Sequence, residues 1–256
     1  MAFKIAYNAG HIKATPGKRL PAALDPKETR EWVLNDRVAR YFAAEMEKYE
    51  GVELRRMDDP NGVKEIDIQE RVAKANAWEA DSYLSIHHNA AGRIFDGGGV
   101  EVYIDAEGGK SEQYARAIYN TIIADTGLVG DRTDPIRSTS DGSKLYECRA
   151  TTMPAVLVEC GYMDSTVDAP IILTDSFARK VGSAIAQAVA SVAKLERKEE
   201  EEEMKKFNTI AEVPDYAKAT IQRLIDTGLL KGTDKGLDLT EDMIRILVIL
   251  DRANVI

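Results

Sequence analysis

Met153-Pro154-Ala155-Val156-Leu157-Val158-Glu159 is apolar for six residues and then stops on a carboxylate. A run with no polar face reads as a strand covered on both sides, the centre of a parallel sheet. Working outward, Ser82-Tyr83-Leu84-Ser85-Ile86 reads as a second strand packed between layers, closed by His87-His88-Asn89. Phe3-Lys4-Ile5-Ala6-Tyr7 is a third, followed by the loop that opens Asn8-Ala9-Gly10-His11. Val52 to Arg56 gives a fourth, and Val100-Glu101-Val102-Tyr103-Ile104 alternates with the period of two that a strand shows. Helical spacing fills the intervals. It spans about Lys27 to Lys48 with Trp32, Val33, Val38, Tyr41 and Phe42 in phase, then Ile66 to Glu79, residues 110–126, and Phe177 to Leu195. Strands alternating with helices imply a layered α/β sheet flanked by helices. Residues 127–143 read as a long polar loop.

The bulk numbers exclude several classes. The chain has 256 residues, 44% hydrophobic and 30% charged, which suits one full α/β core and a small appendage. Its formal charge is −9, shared between the first 194 residues and the remainder, so neither part offers a basic surface for nucleic acid. Cys148 and Cys160 lack C-x-x-C spacing and read as buried thiols. No apolar run reaches the length of about 18 residues that a membrane span needs. The chain enters its first strand without a charged and then apolar leader, so the expectation is cytoplasmic synthesis with no signal peptide.

Glu196 to Lys206 is a charge run that marks a boundary. The expected organisation is a catalytic domain over 1–194, a charged linker over 195–206 and a small all-α domain over 207–256. In that last domain Pro214 to Thr227 reads as one helix stopped by Gly228, and Thr240 caps a second running Glu241 to Arg252. Ile244, Ile246, Leu247, Val248, Ile249 and Leu250 surround most of the second helix. So small a unit cannot cover it alone, which implies self-association or packing on another surface.

The chain has three histidines, and each stands at or just past the carboxyl end of an expected strand, where open α/β sheets place their sites. That placement suggests metal ligation. A hydrolytic zinc takes three protein ligands and keeps one position open for water. His11 and His87 offer two, with His88 open beside His87. Glu28 and Glu31 both lie near the start of the first helix and either can be the third, Glu31 having Asn35 four residues on to hold it. Glu159, at the end of the apolar run, is placed either to move a proton or to act as a supporting or capping carboxylate.

Taken in order, these segments resemble the zinc-dependent N-acetylmuramoyl-L-alanine amidases, cell-wall hydrolases of bacteria and phages. The resemblance covers residues 1–194 and rests on Ala9-Gly10-His11, Glu31 with Asn35, Glu70-Arg71 through Ala75-Asn76, Ser85 to Ala90, Gly99 to Tyr103, and Met153 to Tyr162. It implies His11, Glu31 and His87 as zinc ligands and Glu159 as catalytic acid/base, preferring His87 over His88 and Glu31 over Glu28. Two departures stand near the substrate groove. Gly10-His11-Ile12-Lys13 replaces the usual Gly-His-Gly-Gly, and Asp164-Ser165 lacks the usual Asn. Through Val213-Pro214-Asp215-Tyr216-Ala217, Ile221 to Gly232 and the helix ending Asp251-Arg252-Ala253, residues 207–252 resemble a single S-layer-homology-type motif, which implies a module that binds cell-wall polymers, usually in sets of three.

The resemblance implies a peptidoglycan hydrolase, an endolysin or autolysin, that cleaves between N-acetylmuramic acid and L-alanine and reaches the wall after release. Its partners would be peptidoglycan and a secondary wall polymer, with no nucleic acid or membrane. The rival readings are a zinc carboxypeptidase or endopeptidase on the stem peptide, and a non-catalytic wall-binding protein. Glu199 to Glu203 have purine-only codons ahead of Met204, which leaves room for a second, shorter product starting at Met204 that associates with the tail.

Overall fold

The strand built on the apolar run, β6 (Ala155–Tyr162), lies inside a six-stranded sheet. The other strands are β1 (Phe3–Ala9), β2 (Val52–Arg56), β3 (Ser82–Asn89), β4 (Glu101–Ile104) and β5 (Ile136–Ser138), in the order β2-β1-β3-β6-β4-β5. β2, β1, β3 and β6 run parallel. β4 reverses direction against β6 and pairs in parallel with β5. This is a computed structural model, and it describes residues 2–128, 136–138, 145–199, 205–234 and 236–256.

The sheet has a different layer on each face. Ile5, Tyr7, Leu84, Ile86, Val156, Val158, Val102 and Ile104 share one buried cluster with helices α1 (Glu31–Met46), α3 (Gly109–Thr126) and α6 (Asp175–Ala193). Residues of opposite parity, Ala6, Tyr83 and Ala155, meet α2 (Ile68–Ala77) through Ala75. The short α4 (Tyr146–Ala150) buries Glu147 and Cys148, and α5 (Ala169–Ile172) buries Ala169 and Ile172. Both faces are covered, which is why β3 and β6 lack polar alternation. α1 and α6 approach closely at Gly182, where an added Cβ would lie 2.6 Å from Tyr41 Cβ and 2.7 Å from the Phe42 nitrogen. Larger residues would force the two helices apart.

Three sequence expectations shift here. β6 does not end on Glu159 but continues to Tyr162, and β3 includes His87 and His88 instead of stopping before them. α1 begins at Glu31, not Lys27, because the preceding residues are used in a turn. The Asp25 carboxylate accepts the N–H groups of Lys27 and Thr29, and Glu28 adopts a left-handed φ of 47°.

The chain divides into two units, Met1–Lys198 and Glu199–Ile256. Residues 196–198 belong to the first. Glu50 N–H donates to the Glu196 carbonyl, Lys198 N–H donates to the Lys48 carbonyl, and Arg197 pairs with Glu45. Residues 200–204, including most of the glutamate run and Met204, lie outside the described residues, as does most of the 127–143 loop.

The second unit contains α7 (Asp215–Asp226) and α8 (Glu241–Arg252), with a small ribbon of β7 (Lys206–Phe207) and β8 (Leu239–Thr240) that the sequence reading lacked. Thr240 caps α8 by accepting the Met243 N–H. Phe207, Val213, Ala217, Ile221, Leu239, Ile244 and Val248 form its core. Ile246 and Ile249 stay 56% and 64% exposed, so this unit leaves part of α8 uncovered. Among the described residues, no helix is long and apolar enough to cross a membrane.

Candidate active site

Strand order decides where the site forms. From β1 the chain passes through α1 to β2 on one side, then through α2 to β3 on the other, so the carboxyl ends of β1 and β3 flank a topological switch point. His11 leaves β1 there with a left-handed φ of 64°, uncommon for a residue with a side chain. Gly10 N–H donates to the Ile86 carbonyl, tying the loop to β3. A Cβ on Gly10 would fall 2.0 Å from His87 Cε1, so the backbone at residue 10 is the wall on which that imidazole rests. The turn at 25–30 delivers Glu31 as the first residue of α1, 1% exposed, with its N–H donating to the Lys18 carbonyl.

Glu31 joins the two imidazoles. Its Oε1 is 3.2 Å from His87 Nδ1 and accepts the His88 backbone N–H at 3.3 Å and Asn35 Nδ2 at 3.4 Å. Its Oε2 lies 3.3 Å from His11 Nε2 and 3.6 Å from Lys18 Nζ, yet, although buried, accepts no hydrogen bond among the described residues. One ligand atom from each of His11, Glu31 and His87 fits within 4.8 Å of the others. Burial opposes ionisation of Glu31, but the His87 hydrogen bond and the charges of His87, His11 and Lys18 outweigh it and hold the carboxyl at about 2. Burial lowers His11 to about 4, against the pull of Glu31. At His87 burial also works against the proton, but the Glu31 hydrogen bond and the nearby carboxylates of Glu159, Glu31 and Glu147 prevail, so its pKa is raised. Two imidazoles and an ionised carboxylate form a His₂Glu donor set of the kind catalytic zinc takes. The buried Oε2 without a hydrogen bond is the oxygen left for such a cation.

Glu159 is the neighbour of this cluster. It pairs in register with His87 on β3 and with Glu101 on β4, which places the three side chains on one face of the sheet. Its Oε2 is buried and accepts no hydrogen bond among the described residues. Burial pushes the carboxyl up to about 7, with His87 drawing it down and Glu31 and Glu101 adding to the rise. A carboxyl balanced there can take and return a proton near neutrality. Glu101 is held by Asn89 Nδ2 at 3.0 Å, Tyr103 OH at 2.9 Å and Arg137 Nη2 at 3.1 Å.

The alternatives left open by spacing separate cleanly. Glu28 is 41% exposed and pairs with Arg19 at 3.1 Å, outside the cluster. His88 points to the opposite face from His87, buried beside Phe177, and its ring is held down at about 4 by desolvation. Asp164 accepts the N–H groups of Ala91 and Arg93 and so fixes the loop after β3. Sequence reading missed Lys18 at the mouth of the site. It also missed a buried chain on the Glu159 face of the sheet, in which Asn8 donates to Ser85, and Ser85 and Tyr83 donate to Glu147. Neither carries a spacing signal: the members of the buried chain lie 62 to 77 residues apart, and Lys18 stands in an irregular loop.

The comparisons with known proteins agree with this architecture. The N-acetylmuramoyl-L-alanine amidase family model matches residues 5–191. The N-acetylmuramoyl-L-alanine amidase CwlM of Bacillus licheniformis is 31% identical over 133 residues, 52% of this chain and 48% of that protein. The endolysin of Bacillus phage SPP1 is 30% identical over 135 residues, 52% of this chain and 47% of that protein. The chain spans between 29% and 57% of the length of the curated relatives it matches. Among solved structures, the catalytic domain of CwlV, an N-acetylmuramoyl-L-alanine amidase from Bacillus (Paenibacillus) polymyxa var. colistinus, superposes with a TM-score of 0.65 at 23% identity. That match covers 77% of this chain and 100% of the domain, and it is a likeness of fold. With the family model matching well over half of its length, the chain belongs to the N-acetylmuramoyl-L-alanine amidase family.

Proposed function

We propose that this chain is a zinc-dependent amidase that hydrolyses the bond between the lactyl group of N-acetylmuramic acid and L-alanine in peptidoglycan. The observation that carries the reading is the meeting of His11, Glu31 and His87 beside Glu159, a carboxyl held up to about 7. His11, Glu31 and His87 would hold the ion. Zinc, when bound, supplies a Lewis acid that polarises the scissile carbonyl and makes water more acidic. Glu159 takes the proton of the attacking water and returns it to the departing amine nitrogen, which leaves as the free amino group of L-alanine. Asn35 and the His88 N–H hold Glu31 in place while this happens.

Mass spectrometry of digested purified wall tests the reading. New N-terminal L-alanine is the expected product. Released D-alanine would point to a carboxypeptidase, and no product to a wall-binding protein.

The second unit is proposed to bind a wall polymer and to self-associate through α8, whose Ile246 and Ile249 its own fold leaves exposed. The match to a phage endolysin supports a lysin that acts on the wall. A shorter product starting at Met204 belongs to the same proposal. Synonymous recoding of Glu199 to Glu203 together with Met204→Leu should abolish it in intact-mass spectra of the expressed protein.

A further inference from the structure

We propose that His88 is a positioning residue for Glu31, acting through Asn35: its Nδ1–H donates to Asn35 Oδ1 and locks the amide with Nδ2 turned toward Glu31. The neighbours settle the direction of each bond. The Gly10 carbonyl can only accept, and Asn35 Nδ2 lies 3.1 Å from it and 3.4 Å from Glu31 Oε1. Asn35 Oδ1 is therefore the atom 2.7 Å from His88 Nδ1. An amide oxygen carries no proton, so the proton of that bond sits on His88 Nδ1. His88 Nε2 is then the lone-pair nitrogen, and it is buried without a hydrogen-bond partner among the described residues, with Phe177 at 6.4 Å between ring centroids.

Both residues are shut away from solvent, His88 at 2% and Asn35 at 0% exposure. Without the donor, Asn35 Oδ1 would be left buried and unsatisfied, and the amide that holds Glu31 Oε1 would lose the bond that anchors its other end. With it, Oε1 is held from three sides, by Asn35, the His88 N–H and His87, and Oε2 is the oxygen presented to His11. Outer groups of this kind orient metal ligands and set the affinity of a site. The inference rests on the zinc reading given above, but the hydrogen bond itself does not.

The test uses the full chain. Long-range nitrogen–proton NMR of the metal-free, ¹⁵N-histidine-labelled protein should show His88 as the neutral tautomer protonated at Nδ1. An Nε2–H tautomer would overturn the proposal. Zinc affinity is then measured by competition with a chromophoric chelator for wild type, His88→Leu and His88→Asn, with thermal melts of the metal-free proteins as the fold control. His88→Leu should bind zinc about 10- to 100-fold more weakly. His88→Asn, whose amide nitrogen can stand where Nδ1 stood, should restore affinity close to wild type. A folded His88→Leu with wild-type affinity, or a folded His88→Asn as weak as the leucine variant, would overturn the proposal. If His88→Leu does not fold, the asparagine variant and the tautomer decide. A wild-type chain that takes up no zinc would refute the metal reading, while the NMR result would still decide the His88 bond.

Discussion

His87 and Glu159 are register partners on adjacent parallel strands, so the imidazole and the carboxyl stand side by side on one face of the sheet. Burial holds Glu159 up to about 7 in the metal-free protein, above its ordinary 4.5. The native chain therefore binds this proton more tightly than the unfolded chain does. The stability it contributes is fully present below about pH 4.5 and is lost as the pH rises through about 7. Glu159→Gln keeps a neutral group there at every pH. Melts of the metal-free proteins should show Glu159→Gln stabilised relative to wild type at about pH 8, with the difference shrinking toward about pH 5. The same difference at both values would contradict a buried carboxyl.

Gly10→Ala should damage the site without unfolding the sheet. Its Cβ would lie 2.0 to 2.4 Å from three atoms of the His87 ring, so the imidazole must move. A misplacement of this size can cost on the order of 100-fold in turnover. Activity on purified wall fragments, with the melting temperature as control, checks it; an active Gly10→Ala would show that the ring does not rest there.

Gly182→Ala tests the packing of α1 on α6. Alanine favours an isolated helix by about 1 kcal/mol over glycine. Here its methyl would meet Tyr41 Cβ at 2.6 Å, the Phe42 nitrogen at 2.7 Å and the Val38 carbonyl oxygen at 2.8 Å. Overpacking of this kind costs about 1–3 kcal/mol, so urea unfolding should show a net loss of stability. A gain would mean the helices can separate freely.

The division at Lys198 predicts different behaviour of the two units. Residues 1–198 alone should cleave soluble wall fragments at near the full-length rate but act more slowly on intact cells, where a tether raises local concentration. Equal rates on intact cells would remove the case for wall binding by the second unit.

The legible parts of the fold were those set by period and by covered faces. The apolar run at 153–158 and the strand before His87 announced a sheet buried on both sides, and α6 showed as the helical stretch from Phe177 to Leu195. Element ends were less legible. Nothing in the local pattern shows that Asp25 captures the Lys27 and Thr29 amides and so delays α1 to Glu31. The site was legible as residue types at strand ends, but the choice between Glu28 and Glu31 depended on that same turn, which sends Glu28 outward to Arg19. The part His88 plays was hidden because strand parity faces it away from His87 and into contact with Asn35, a partner 53 residues away.

The division of labour between three ligands and one proton carrier is tested most directly by zinc content after dialysis. Wild type and Glu159→Gln should each retain one zinc ion per chain, with Glu159→Gln reduced in turnover by about 100- to 10,000-fold. His11→Ala, Glu31→Ala and His87→Ala should each lose both zinc and activity, because two ligands do not hold the site. A zinc-free Glu159→Gln protein, or a His87→Ala protein that keeps its zinc, would contradict the account.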